Sequence, residues 1–315
     1  MMSSAELAIV RSVTYASLFD YPLTIDQLHR TLLESAQTPS AILATYRTSP
    51  MLQELIECRD GFFFPSGCHA LVAERRRREA RSEAFLARHA LLLRLVCALP
   101  YVRMVALSGS VAHLNLEGTG DLDLFIVTRG QHVWSVTVAV LVLAKLMRQR
   151  RVVCANFVLA DSRLALEQQD LFTASQIIHL KPLVGDGLLR AFVAANPFVR
   201  RYYPNFRPAE PAGGRGPSAA DRLKAAIEVV LSGPSRLVEA ACRRAYTWHL
   251  RRRSGSWQSP EQVRLQPDYL KLHTRSHRQH ILDRFDLAVE HALDRARRLA
   301  EAATTGGGLP ASGRR

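Results

Sequence analysis

The first sixty residues carry apolar positions at helical spacing. Ile9, Val13 and Ala16 fall on one face of a helix, which predicts an amphipathic first element. Thr24 and Gln27 have the spacing of a capping box, so we expect a second helix to begin there. The pattern therefore predicts a small module that opens with short helices.

A third helix and a hairpin complete this module. Thr38-Pro39 places a capping residue before a proline at the first helical position. Residues 55–64 predict a hairpin around Asp60-Gly61, a dipeptide typical of tight hairpin turns. Three helices followed by a hairpin is the element order of a winged helix, so we predict a winged-helix-like module over residues 1–68.

Two functions fit such a module. A winged helix binds DNA through its third helix, and the alternative is a module that only packs on the next domain. The third helix carries few cations, with Arg47 at its end. Because a phosphate-binding face needs several Lys or Arg side chains, the sequence gives limited support to DNA binding.

A long helix over residues 69–99 is predicted next. Phe85, Leu92 and Val96 form its apolar stripe, and Pro100 ends it. Residues 75–78 are four consecutive arginines, which surround one helical turn with charge. We expect most of this charge to face solvent, with a nucleic-acid contact as the alternative.

Alternating strand and helix patterns follow this long helix. An apolar run at 105–107 predicts a strand, and residues 122–128 predict a second strand after a turn. Residues 132–148 are strongly apolar and predict a helix against the sheet, and residues 151–160 predict a further strand. This order predicts an α/β unit with a short mixed sheet.

The turn between the first two of these strands holds the candidate chemistry. Gly109 allows backbone to approach a ligand closely, and Ser110 is expected at a helix N-terminus, where free N–H groups favour a phosphate. Asp121 and Asp123 lie two apart on a strand, so both carboxylates project from one face. Hard divalent cations such as Mg²⁺ bind carboxylate oxygens and bridge them to phosphates.

This combination resembles the polymerase-beta-like nucleotidyltransferase superfamily, whose signature is Gly-Ser, a gap of roughly ten residues and Asp-x-Asp on a hydrophobic strand. The resemblance implies that Asp121 and Asp123 are catalytic residues and hold one or two Mg²⁺ ions. It also implies that Ser108, Gly109 and Ser110 bind a nucleoside triphosphate, the substrate.

The chain departs from the superfamily pattern at two positions. Many relatives carry an arginine three residues after the serine, where this chain has His113. The superfamily usually supplies a third carboxylate from a later strand, and the candidates here are Asn156 and Asp161. Asn156 could bind a metal through its amide oxygen but cannot act as a base. Asp161 closes the strand and could stand in.

A looser resemblance covers roughly residues 5–206. The leading module, the arginine-rich helix and the segments 154–157, 170–174 and 196–199 are similar to a bacterial family of nucleotidyltransferases whose substrates are not known. This resemblance implies the fold and a nucleotide-binding cleft, without naming a substrate.

Composition adds a few constraints. The chain has 315 residues, 48% hydrophobic and 22% charged, with a formal net charge of +14. This charge fits nucleotides, nucleic acid bound through a basic surface, an anionic membrane surface, or simply solvated helix faces. Five widely spaced cysteines imply neither a disulfide framework nor a zinc site, which fits a cytoplasmic protein. No signal peptide is expected, and the apolar run at 136–144 is too short for a membrane span.

The remaining boundaries follow from composition. We predict a nucleotidyltransferase domain with its leading helix over 69–206, a linker over 207–219 and a helical C-terminal region over 220–303, including one helix over 268–298. Residues 304–315 are Gly-rich and are predicted to be a disordered tail.

The expected fold class is therefore α+β or α/β, with a nucleotidyltransferase fold between a winged-helix-like module and C-terminal helices. The expected function is Mg²⁺-dependent transfer of a nucleoside monophosphate from a nucleoside triphosphate to an unknown acceptor hydroxyl. The alternative is a catalytically degraded nucleotide-binding protein whose winged-helix module binds DNA or a partner protein. The missing third carboxylate and His113 favour the alternative, whereas the pair of Asp121 and Asp123 favours the enzyme.

Overall fold

The computed structural model describes residues 2–210, 219–274 and 276–305. In this part of the chain the helices are α1 Ser4–Ser17, α2 Ile25–Arg30, α3 Pro39–Thr48, α4 Pro50–Leu55, α5 Ala70–Ala98, α6 Gly109–Ala112, α7 Val133–Leu146, α8 Leu171–Ile178, α9 Asp186–Ala194, α10 Phe198–Tyr202, α11 Ala219–Leu231, α12 Ser235–Arg251 and α13 Arg278–Thr305. The strands are β1 Leu23–Thr24, β2 Ile56–Arg59, β3 Phe62–Pro65, β4 Val102–Ser108, β5 Leu122–Thr128, β6 Val153–Ala160, β7 Lys181–Val184, β8 Val263–Leu265 and β9 Tyr269–Leu272.

The chain divides into two compact units, each built from separated segments. The first unit takes its described residues from 1–76, 200–207 and 278–315, and the second from 77–199 and 208–277. Together they have a mixed α and β composition, as the sequence predicted. Among the described residues, no helix combines the length and apolar character that crossing a membrane requires.

The first unit contains the predicted helices and hairpin. The Thr24 side chain accepts a hydrogen bond from Gln27 N and the Gln27 side chain accepts one from Thr24 N, which confirms the capping box. Strands β2 and β3 pair antiparallel around Asp60 and Gly61, both at positive φ, and β1 pairs with the other edge of β3. The tight turn is confirmed because both of its central residues adopt the left-handed conformation.

Helix α13 also belongs to the first unit and packs against α1. The Phe285 ring meets the Tyr15 ring edge-on, with 5.2 Å between the ring centres. Ala296 is buried in the same core as Ile9 and Val13. The sequence analysis placed this helix in a separate C-terminal region. Its contacts with α1 join residues from opposite ends of the chain, and such contacts leave no local pattern in the sequence.

The second unit is built on a six-stranded mixed sheet in the order β7-β4-β5-β6-β9-β8. Strands β4 and β5 pair antiparallel, β5 and β6 pair parallel, and β9 adds antiparallel to β6. Helix α7 connects the parallel pair, and its fully buried Trp134 lies in the main core. This sheet positions the predicted site at one end of β5.

The C-terminal region contains strands that the sequence analysis missed. The prediction of a helix over residues 268–298 is wrong at its start, because β9 occupies Tyr269–Leu272 and the helix begins at Arg278. Tyr269 and Leu270 are buried beside β6, so tertiary pairing overrides the helical pattern. Residues 211–218 of the predicted linker and 306–315 of the predicted tail lie outside the described residues.

Two of the four consecutive arginines are buried, contrary to the expectation that most face solvent. Arg75 is 3% exposed and, within the first unit, donates to the Pro22 carbonyl and stacks on the Tyr21 ring. Arg78 is 6% exposed and, within the second unit, pairs with Glu117 at 2.9 Å. Residues three apart share a helix face, so a guanidinium group can be buried there when polar partners meet it.

Candidate functional site

The candidate site lies where three neighbouring strands place polar residues side by side. Ser108 of β4 pairs with Asp123 of β5, and Asp123 pairs with Cys154 of β6. Paired residues on adjacent strands project from the same face of a sheet. The register therefore brings Asp123 between a serine and a cysteine, at the starting end of β5.

The predicted aspartate pair is brought together here. Leu122 lies between the two aspartates and is fully buried in the core on the opposite face. One ligand atom each from Asp121, Asp123 and Cys154 lie within 4.8 Å of one another. The strand alternation that the sequence analysis used thus accounts for the convergence of the two carboxylates.

Cys154 is the member of this cluster that sequence reasoning missed. Its Sγ donates a hydrogen bond to Asp121 Oδ2 at 3.1 Å. Burial, with the hydrogen bond to Asp121 and the nearby carboxylates acting in the same direction, raises the pKa of the Cys154 thiol to about 12. The only signal in the sequence was its place at the start of β6, which by itself does not reveal the register with β5.

A bulge in β6 brings Asn156 to the site. Asp123 pairs with Cys154 and Phe125 pairs with Phe157, so β6 has one more residue than β5 between these two pairs. Such a bulge changes the direction of a side chain. Asn156 Nδ2 donates to Asp123 Oδ1 at 3.3 Å, so this predicted site residue does contact the aspartate pair.

Asp161, the other candidate for the third carboxylate, does not join the cluster. Its Oδ1 accepts a hydrogen bond from Gly130 N at 2.9 Å, beyond the last residues of β5 and β6. Asp123 and Cys154 lie near the first residues of these strands, and a strand rises about 3.3 Å per residue. Asp161 is therefore at the opposite end of the sheet, where it stabilises the turn at Gly130.

Gly109 lies directly against the aspartate pair. It has φ +65°, and a Cβ atom at this position would overlap Asp123 Oδ2. The left-handed conformation and the close approach both require glycine. Ser108 Oγ donates to the Asp123 carbonyl at 3.3 Å, and Ser110 is exposed in the first turn of α6, as predicted.

The electrostatics of the pair depend on burial. Burial, with the Asp121 charge acting in the same direction, raises the pKa of Asp123 to about 7, and the hydrogen bond from Asn156 opposes the shift. Two neighbouring carboxylates repel unless a proton or a cation lies between them. In the absence of a cation, Asp123 therefore keeps its proton up to near neutral pH.

His113 adds no fixed positive charge to the site. Its ring lies 4.0 Å from the His179 ring, centre to centre. Burial lowers the pKa of His113 well below its ordinary value, and the charge of His179 lowers it further. A neutral imidazole thus occupies the position at which many members of the resembled superfamily carry an arginine.

The loop that carries Asp121 is held by helix α5. Arg81 Nη1 donates to the Leu116 carbonyl at 2.9 Å, and the buried Ser82 Oγ accepts from Leu116 N at 3.1 Å. Together with the ion pair of Arg78 and Glu117, these contacts fix the chain shortly before the aspartates. The arginine-rich helix therefore positions the site instead of contacting solvent alone.

Comparisons of this chain with protein-family models, with curated proteins and with solved structures found no match.

Proposed function

We propose that the chain is a magnesium-dependent nucleotidyltransferase that moves a nucleoside monophosphate from a nucleoside triphosphate to an acceptor hydroxyl. The observation that carries this proposal is the convergence of Asp121 and Asp123 beside the Gly109 turn. The sheet order and the polymerase-beta-like motif support the same fold assignment. For the first unit, the order of helices and hairpin supports a winged-helix-like module.

Of the three clustered side chains, the two carboxylates suit a hard divalent cation and the Cys154 thiol does not. Asp121 and Asp123 would hold Mg²⁺, because carboxylate oxygens are its usual protein ligands. When bound, Mg²⁺ would neutralise charge on the phosphates and on the pyrophosphate that leaves. Cys154 is a soft ligand and, as a thiol hydrogen-bonded to Asp121, supports the carboxylate rather than the magnesium ion.

The residues around the aspartates would bind and orient the triphosphate. The backbone at Gly109 has no side chain to block a close approach, and the exposed Ser110 hydroxyl can donate to a phosphate oxygen. In the reaction, the acceptor oxygen bonds to the α-phosphorus and the bond from that phosphorus to pyrophosphate breaks. The acceptor proton passes to solvent, and positioning supplies most of the rate.

Calorimetric titration with each of the four nucleoside triphosphates, with and without Mg²⁺, tests the proposal. We expect binding that requires Mg²⁺ and is abolished in the Asp121→Asn/Asp123→Asn variant. The control variant Asp286→Asn/Glu290→Gln removes the same charge from exposed positions on α13 and should bind like the parent. Absence of binding to the folded parent with Mg²⁺ would contradict the proposal.

A second candidate is a nucleotide-binding protein that does not turn its ligand over, with the first unit binding DNA or a partner protein. The lack of a third carboxylate favours it, because the side chain that joins Asp121 and Asp123 in the cluster is the Cys154 thiol. The position of Asp161 at the far end of the sheet favours it too. Recovery of intact triphosphate after prolonged incubation with candidate acceptors, despite tight binding, would support this second candidate.

A further inference from the structure

A group of exposed arginines lies on the second unit, outside the aspartate cluster. We call it the arginine surface: Arg148, Arg150, Arg151, Arg251, Arg252 and Arg253. These residues lie at or just beyond the ends of α7 and α12, and α12 packs along α7. The stretches 140–160 and 240–260 contain no Asp or Glu, so no acidic neighbour in sequence neutralises this charge.

The direction of α12 places its basic end at the same end of the sheet as the candidate site, on the face opposite to the two carboxylates. Glu239, near the start of α12, accepts hydrogen bonds from Trp134 N and Ser135 N in the first turn of α7, each at 2.8 Å. The last turns of α12 therefore lie toward the end of α7, which leads into β6. Arg150 Nη1 donates to the carbonyl of Val153, the residue before Cys154, at 3.2 Å.

Tyr246 packs this end of α12 against the main core. Its ring lies 6.3 Å from the Trp134 ring, centre to centre. Burial raises the pKa of the Tyr246 hydroxyl, and the charges of Arg150 and Arg253 oppose that shift. Together with the contact between Arg150 and the Val153 carbonyl, this places the arginine surface at the end of the sheet where β6 begins.

An exposed aromatic residue accompanies the charge. Trp248 on α12 is 57% exposed, and the Arg252 guanidinium lies 3.8 Å from the centre of its ring. A tryptophan of this exposure beside cations is the combination with which proteins bind single-stranded nucleic acid, because bases stack on the ring while arginines contact the phosphates. A purely solvated basic helix needs no such exposed ring.

We propose that the arginine surface and Trp248 bind a single-stranded polynucleotide and direct its terminal hydroxyl to the aspartate pair as the acceptor. The binding step stands on the arginines, the exposed ring and the lack of acidic neighbours. Its role in acceptor selection rests on the nucleotidyltransferase function proposed above. Each phosphate contact releases a counterion, so binding weakens steeply as salt concentration rises.

Fluorescence anisotropy with end-labelled single-stranded RNA and DNA of one sequence tests the binding. We expect Arg251→Glu/Arg253→Glu to weaken binding by roughly tenfold or more, and to reduce the salt slope by about 0.7 for each phosphate that is no longer neutralised. The variant Arg200→Glu/Arg201→Glu makes the same charge change at exposed positions of the first unit, and should keep near-parental affinity. Equal weakening in both variants would overturn the proposal, since net charge would then explain the binding.

The tryptophan provides a second readout. We expect Trp248→Ala to weaken binding by roughly five- to a hundredfold, and Trp248→Phe to retain most of the affinity, because base stacking contributes about 1 to 3 kcal/mol per base. Leu237→Ala removes another exposed apolar side chain of α12 and serves as the matched control. Equal binding of polyglutamate, or parental oligonucleotide affinity in Trp248→Ala, would overturn the proposal.

Failure of this inference is distinguishable from failure of the proposed function. Oligonucleotide binding that depends on the arginines and Trp248, without nucleotide transfer, would support polynucleotide binding by the arginine surface. It would refute the role of the bound polynucleotide as the acceptor. Magnesium-dependent triphosphate binding with no affinity for RNA or DNA would overturn the inference and leave the nucleotidyltransferase proposal standing.

Discussion

Asp123 is a half-buried carboxyl group that faces a second carboxyl group, Asp121. Its pKa of about 7 lies above the ordinary value of 3.8, so the folded chain holds this proton more tightly than the unfolded chain. The stability that Asp123 contributes is fully present below pH 3.8 and is lost as the pH rises to about 7. The metal-free protein therefore loses stability over this range through this one group.

We predict that Asp123→Asn stabilises the metal-free protein at pH 8 by about 2 to 4 kcal/mol, since each pKa unit corresponds to about 1.4 kcal/mol. The gain should vanish near pH 4, where the parent carboxyl group is protonated as well. Urea unfolding in the presence of a chelator at both pH values measures it, with Asp286→Asn as the exposed control. A gain that is independent of pH would contradict the assigned electrostatics.

Cys154 offers a second test at this scale because it has nearly the size of aspartate. We predict that Cys154→Asp raises the Mg²⁺ affinity of the site roughly tenfold, since a third carboxylate then stands where a thiol that does not bind the ion stood. Cys154→Ser supplies a neutral control of similar shape and should leave Mg²⁺ affinity close to parental. Thermal shift against MgCl₂ concentration distinguishes them, and equal curves for all three proteins would show that a carboxylate at position 154 does not reach the ion.

At the scale of elements, the site is the joining point of β4, α6 and β5. The chain leaves β4 at Ser108, turns at Gly109 with positive φ and enters a helix of one turn. The turn presses backbone against Asp123, whose register is fixed by pairing on both sides. Small changes in the turn should therefore move a carboxylate without unfolding the sheet.

We predict that Gly130→Ala destabilises the protein by about 1 to 2 kcal/mol because of its positive φ, and that Gly109→Ala, also at positive φ, destabilises it by at least as much. Only Gly109→Ala should weaken divalent-cation binding, by roughly tenfold or more, since its new methyl group must displace Asp123, whereas nothing lies within 4 Å of a Cβ at Gly130. Paired denaturation and metal titrations measure both effects. Parental cation affinity in Gly109→Ala would contradict the placement of Asp123 against this turn.

The elements around the site could be predicted to different degrees. Alternation around Leu122 revealed β5 and the shared face of Asp121 and Asp123, because that pattern is local. The bulge that turns Asn156 toward Asp123 depends on pairing between β5 and β6, which no single segment encodes. The strand Tyr269–Leu272 was missed for the same reason, since its burial comes from pairing with β6.

At the scale of the whole molecule, both units are assembled from segments far apart in the chain. The first unit needs the C-terminal α13 to cover α1, although the sequence analysis drew its boundary at residue 68. The burial of Arg75 against Tyr21 could not be predicted from the sequence either, since a run of four arginines predicts solvent exposure. The spacing of apolar residues predicts local helices and strands, but it does not predict contacts between segments far apart in the chain.

We predict that Phe285→Ala destabilises the first unit by about 3 to 5 kcal/mol, because the ring is 3% exposed and packs on Tyr15. Leu287→Ala, two residues along the same helix and 56% exposed, should change stability by no more than about 0.5 kcal/mol. Thermal unfolding of the full chain measures both variants. A small effect for Phe285→Ala would show that α13 is not part of the first unit.

We propose that Asp121 and Asp123 together hold a divalent cation that a nucleoside triphosphate then shares. Electron paramagnetic resonance of Mn²⁺, which reports free and bound ion directly, tests it most directly on the parent and on Asp121→Asn/Asp123→Asn. We predict that the parent binds Mn²⁺, that ATP tightens this binding, and that the variant shows neither effect while Asp286→Asn/Glu290→Gln shows both. Equal Mn²⁺ binding by the parent and by the folded Asp121→Asn/Asp123→Asn variant would contradict the account.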